Sequence, residues 1–224
     1  MKVAILVFPG SSCERDCYHV LTKVFGLESE LVWHTETDLA RFDAIILPGG
    51  SSYGNYLRPG ALAKFSPVMD RVIEAAESGT PILGIGNGFQ ILLEAGLLPG
   101  AMLANESLRF QCHPQDIRVE VDRTPFTHGI APGTLLNLPI AHGEGNYFID
   151  QAGQARLEAN KQIALRYVGS NPNGSVSDIA GICNEAGNVV GMMPHPERAA
   201  EAVLGSVDGQ KIFKALINYW EAKK

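Results

Sequence analysis

His195 and Glu197 stand two residues apart in Pro194-His195-Pro196-Glu197, directly after the apolar run Val189–Met193. The prolines bias Met193 and His195 toward extended backbone, where residues two apart project to one side. A carboxylate beside an imidazole fixes its tautomer and stabilises the imidazolium, the supporting half of a nucleophile–His–acid triad. The same four residues also describe an ordinary loop ion pair at a strand end. The short pattern alone does not separate the two readings.

A triad also needs a positioned nucleophile, and Pro81–Leu92 (PILGIGNGFQIL) has the outline of its support. Pro81–Ile85 reads as a short buried strand, Gly84, Gly86 and Gly88 follow at alternate positions, and Phe89, Ile91 and Leu92 begin a helix. Strand, tight turn and helix make a nucleophile elbow. A Ser or Cys at the turn would have its head at the positive end of the helix. That position is Gly86, so the reactive group the rest would serve is not in the sequence. Gly49 and Gly50 close another strand. The backbone N–H groups of Gly50 and Asn87 could then both face a developing oxyanion, although each glycine taken singly also suits a plain tight turn.

Other reactive side chains carry weaker signals. His142 and Glu144 in Ala141–Gly145 (AHGEG) fall in a turn between strands, with no third ligand at a metal-binding spacing. The four cysteines, Cys13, Cys17, Cys112 and Cys183, have no framework spacing and read as free thiols packed as small hydrophobes, which favours a reducing cytoplasm. None lies at the elbow.

The elements that must hold these residues follow from the apolar pattern. Val3–Phe8 reads as a first, central strand rather than a signal peptide, because the run is short and no cleavage site follows. A helix is expected over Glu14–Phe25, strands over Glu30–His34 and Asp43–Leu47, and a helix over Ala61–Ser78. Beyond Leu98, strands near Ile117–Val121, Leu135–Ala141, Ile163–Tyr167, Ile179–Cys183 and Val189–Met193 have no long helices between them. A closing helix is expected over Asp208–Trp220. The fold expected is α/β: an open, mostly parallel sheet flanked by helices, with additional antiparallel strands in the second half. With 224 residues and no linker or repeat, residues 1–224 read as one domain. The net charge of −6 argues against nucleic-acid binding, and no apolar run approaches a membrane span.

Taken together, PGGSSYGNYLRPG (48–60), GIGNGFQILLEAGLLPG (84–100), PIAHGEGNY (139–147), NPNGS (171–175), IAGICNEAGNVVGMMPHPER (179–198) and DGQKIF (208–213) resemble the class I (triad) glutamine amidotransferases. SYGNYLR, AHGEG and GMMPHPER narrow the resemblance to the glutaminase subunits of phosphoribosylformylglycinamidine synthases. The resemblance implies a catalytic Cys at position 86, His195 as its base, Glu197 as support, and Gly50 and Asn87 as the oxyanion hole. Gln90 and His142 fall where the family lines its L-glutamine pocket. Ser51 stands where the family has Phe, Asn55 where it has Asp, and Gly86 where it has Cys. Also implied are thiolate attack on the side-chain amide, a γ-glutamyl thioester, and ammonia delivered to a large synthetase subunit that uses ATP and Mg, with a small bridging subunit. No cofactor is implied for this chain itself. As written it is expected to be inert toward glutamine. Two other functions fit the same scaffold: a non-catalytic subunit that activates the synthetase, and a stand-alone γ-glutamyl hydrolase. The partly apolar loop Tyr53–Pro59 is the expected partner contact.

Overall fold

Four apolar runs, none with a polar interruption, make the centre of the sheet. In the computed structural model, which describes residues 1–223, the chain runs β1 (Lys2–Val7), α1 (Glu14–His19), β2 (Glu28–Trp33), β3 (Ala44–Leu47), α2 (Val68–Glu77), β4 (Ile82–Ile85) and α3 (Asn87–Glu94). It continues through β5 (Ala101–Leu103), β6 (Gln111–Val119), β7 (Leu135–His142), β8 (Asn146–Phe148), α4 (Gln151–Ala159), β9 (Ile163–Tyr167), β10 (Ile179–Cys183), β11 (Val189–Met192) and α5 (Gln210–Glu221). Nine strands form one sheet in the order β2-β1-β3-β4-β11-β10-β9-β6-β7. Neighbours from β2 to β11 are parallel, and those from β11 to β7 are antiparallel.

Because successive strand residues face opposite sides, β1 feeds two cores. Val3 and Ile5 pack with Cys17 of α1, with Leu21 of the helical turn that follows it, and with Phe213 and Leu216 of α5. Ala4 and Leu6 pack with Met69 and Val72 of α2 and Phe89 and Leu92 of α3. A sheet covered on both faces needs apolar residues at every position, which is why these strands do not alternate. The crevice between β1 and β3, where the order reverses, opens at the carboxyl edge of the sheet, and α/β sheets bind ligands there.

The elements differ from the sequence reading in five places. The helix expected over Ala61–Ser78 is broken: a 3₁₀ turn over Ala63–Phe65 ends at Ser66 with ψ 141°, and α2 starts only at Val68. Pro67 excludes helical backbone at the residue before it. The first helix closes with a π-helical turn over Val20–Val24. α4 was not expected in the second half: its apolar residues form no stripe, but Asp150 caps it by accepting from the Gly153 N–H. The antiparallel strands continue the first sheet, and β5 and β8, which were not expected as strands, form a separate two-stranded ribbon. Finally, Cys112 is exposed on β6, whereas Cys13, Cys17 and Cys183 are buried free thiols.

Candidate functional site

The carboxyl ends of β3, β4 and β11 bring Gly49–Gly50, Gly86 and His195 together, with the loop after β1 packed behind them. Gly86 leaves β4 with φ 52° and ψ −109° and caps α3, and its N–H bonds to Met192 O. The turn is therefore bent sharply while still tied to β11. A Cβ at Gly86 would lie 3.1 Å from both Cε1 and Nε2 of His195. The imidazole thus faces the elbow with its Nε2 edge. Its other nitrogen, Nδ1, is 2.6 Å from Glu197 Oε1. Both side chains are almost fully buried.

Three contacts fix that ring. The His195 N–H donates to Pro139 O of β7. Glu197 holds Nδ1, and a Cβ on Gly49 would come within 2.7 Å of Cε1, so only glycine leaves the imidazole room there. Glu197 Oε2 has no hydrogen-bond partner among the described residues. Burial disfavours the imidazolium, but the adjacent Glu197 charge, aided by the Cys13 sulfur, outweighs it and pushes the His195 pKa up to about 10. The Gly50 and Asn87 N–H groups are taken up by no described residue. They remain available to an oxygen at the elbow.

These groups line a cavity of about 380 Å³, whose wall includes Gly50, Gly86, Asn87, Gln90, His142 and His195. The structure therefore brings all the sequence-predicted residues except the buried Glu197 to one wall, and Glu197 stands directly behind His195. Gln90 and His142 reach the wall with their polar heads already engaged. Gln90 Nε2 donates to Glu144 O and its Oε1 accepts from Asn87 Nδ2, while Asn87 Oδ1 takes the Ser52 N–H. One amide chain thereby links the loop after β3, α3 and the turn after β7. His142 is locked too, through Asn105. Asn105 Oδ1 accepts the Gly145 N–H, and its amide nitrogen donates to the carbonyls of Arg109 and His142. That fixes Oδ1 toward His142 Nδ1 (3.1 Å), so Nδ1 carries the proton and Nε2 accepts from Asn173 Nδ2. Burial, with the nearby His195 charge, drives the His142 pKa down to about 4. It is a neutral wall residue.

Sequence reasoning missed Cys13, Asn105 and Arg109. Cys13 Sγ lies 3.9 Å from His195 Nδ1, behind the ring and away from the cavity. Its place in the loop after β1, at the sheet's ligand-binding edge, was the available signal. Sγ, the imidazole and the Glu197 carboxylate fall within 4.8 Å of one another, a grouping a metal could in principle use. The 2.6 Å Nδ1–Oε1 separation instead belongs to a hydrogen bond, since two such ligands of a tetrahedral zinc stand roughly 3.3 Å apart. Nor do His142 and Glu144 gather a third ligand among the described residues. Arg109 and Glu144 supply the cavity wall with one charge of each sign.

Residues 1–220 match the family described as the CobB/CobQ-like glutamine amidotransferase domain. The chain belongs to that family. Among solved structures it is similar to PurLQS from Thermotoga maritima, at 46% identity over 98% of both chains with a TM-score of 0.90. A glutamine amidotransferase from Thermotoga maritima shares the fold alone, at 16% identity and a TM-score of 0.58 over 100% of this chain and 85% of that one. The amidotransferase fold explains why the functional groups sit where they do. Gly50, Gly86 and His195 follow the ends of β3, β4 and β11, and the parallel half of the sheet aims those three ends at one edge, with Asn87 and Gln90 on the helix that starts there. No helix among the described residues is long and apolar enough to cross a membrane.

Proposed function

We propose that this chain, read as one amidotransferase domain over 1–224, is the glutaminase-type subunit of a phosphoribosylformylglycinamidine synthase, and that Gly86 leaves it unable to turn glutamine over. The observation that carries the reading is the imidazole of His195 turned toward the elbow, 3.1 Å from where a Cβ on residue 86 would stand, with Glu197 on its far nitrogen. With a cysteine at position 86, the site would rest as a thiolate paired with the His195 imidazolium, and the thiolate would attack the side-chain amide carbon of L-glutamine. Gly50 and Asn87 N–H groups would hold the oxyanion, and the imidazolium would return its proton to the departing nitrogen. Water would then release glutamate from the thioester by the same proton transfers in reverse order.

As encoded, that sequence stops at binding. His195 and the oxyanion donors remain, but the chain supplies no atom to form the covalent bond. The partner implied by the similarity to PurLQS is a synthetase that consumes ammonia. Tyr56 and Leu57, about three-quarters exposed beside the cavity loop, suit contact with it. Tyr53 does not, because its hydroxyl is held between Ser66 and His34. Reconstitution with the large synthetase subunit and ATP tests the reading. Ammonia should support amidine formation and glutamine should not, whereas Gly86→Cys should restore the glutamine-dependent rate. Glutamine-dependent product from the encoded chain would overturn it.

A further inference from the structure

We propose that the elbow of the encoded chain is a receptor for a carboxylate in preference to an amide. The ligand is L-glutamate, with one γ-carboxylate oxygen on the Gly50 and Asn87 N–H groups and the other on His195 Nε2. This rests on reading the cavity as a glutamine pocket.

Three observations carry it. First, the donors are free and convergent. Neither backbone N–H is used by a described residue, α3 begins at Asn87 with its positive end toward the cavity, and His195 Nε2 has no partner among the described residues. His195 itself is only 3% exposed. Second, the charge arrangement is incomplete without an anion. The Glu197 carboxylate makes its one hydrogen bond to Nδ1, and the imidazole is held as its counter-ion. An amidotransferase with a cysteine at the elbow sets a thiolate against the other edge of that ring. Gly86 supplies nothing there, and a ligand carboxylate restores the same charge. Third, hydrogen-bond polarity discriminates. A γ-carboxylate offers two acceptor oxygens to two sets of donors. A γ-amide with its carbonyl on the backbone pair must turn its NH₂ toward Nε2–H, donor against donor. Elsewhere on the wall Arg109 and Glu144 match the α-carboxylate and α-ammonium that both ligands share, so they do not discriminate.

Isothermal titration of the full chain with L-glutamate and with L-glutamine tests this. Glutamate should bind on the order of 10–100-fold tighter, the difference between a charge-assisted hydrogen bond and an unmade one. His195→Asn should abolish the preference. Should that variant fail to fold, Gly86→Cys carries the same information, because its thiolate occupies the carboxylate's place and should weaken glutamate selectively. Glutamine binding as tightly as glutamate overturns the receptor and leaves the glutamine pocket standing. No binding of either overturns both.

Discussion

Replacing Gly86 with cysteine perturbs the backbone and the chemistry at once, and the two effects have opposite sign. At φ 52° and ψ −109° the residue sits where side-chain-bearing residues are sparse, a strain of about 1–3 kcal/mol for a non-glycine residue. The added Cβ would stand 3.1 Å from two atoms of His195, tight enough that the ring must yield slightly. That ring is pinned by Glu197 and Pro139, so little relief is available from it. In a chain of 224 residues, that strain lowers the melting temperature by about 2–12 °C. Gly86→Ala carries the same backbone strain without a thiol and should fall with the cysteine variant. Only the cysteine variant should release ammonia from glutamine, because loss of such a nucleophile costs on the order of a millionfold in turnover. Calorimetric melting and a coupled ammonia assay read the two effects separately. An alanine variant as stable as the encoded chain would show that the elbow stores no strain. A cysteine variant that binds glutamine and liberates no ammonia would refute the proton path assigned to His195.

Two further outcomes follow from the buried histidines. His195, raised to about 10, contributes stability that is complete below the unfolded value near 6.5 and is lost as pH climbs through 10. His142, lowered to about 4, contributes stability that is present above 6.5 and is lost as pH falls toward 4, about 3 kcal/mol in all. Urea unfolding across pH 4–10 should therefore show these two contributions meeting near pH 6.5, with the acid-side loss reduced by about that amount in His142→Asn. Glu197→Gln removes the charge that holds the His195 proton, so imidazole ¹⁵N shifts should report a markedly lower His195 pKa, because burial then disfavours the imidazolium with only the Cys13 sulfur opposing it. In the Gly86→Cys background the same change should lower turnover by as much as ~10⁴-fold, the scale set by amide replacement of a triad carboxylate. Unchanged imidazole shifts would remove Glu197 from the site.

What the chain's pattern disclosed, and what it hid, divides along a physical line. β1, β3, β4 and β11 are unbroken apolar runs because both sheet faces are covered, and such runs are visible without coordinates. The glycines around the elbow were legible as a tight turn, but their particular duties were not. A Cβ on Gly88 would meet Leu47 O at 1.9 Å, and one on Gly49 would strike His195, contacts that join residues far apart in sequence. α4 escaped because amphipathic period was the signal sought and this helix has none; only its cap marked it. Asn105 escaped for a related reason. It is fully buried in an irregular segment and does its work through four hydrogen bonds to atoms of residues 109, 142 and 145, none of which leaves a motif. Strand order, and with it the meeting of β3, β4 and β11 at one edge, depends on crossovers that the pattern of a single strand does not encode.

The geometry of the imidazole does not depend on what stands at position 86. Pro139 holds its backbone, Glu197 its Nδ1 edge, and the bare Cα of Gly49 makes space for Cε1, so the ring would face the elbow whatever residue capped α3. That independence has an energetic consequence. A buried ion pair with one carboxylate oxygen unpartnered is poor at stabilising a fold, and apolar side chains of similar volume would commonly do better. Its value lies in the field it sets up: an imidazolium edge turned toward the N–H groups of Gly50, after β3, and Asn87, at the start of α3, which no described residue takes up, beside a neutral His142 in a cavity whose wall also carries Arg109 and Glu144. Such a field acts on negative charge. In an amidotransferase with a cysteine at the elbow it acts on the thiolate and then on the oxyanion; with Gly86 in place, it acts on whatever anion the cavity admits.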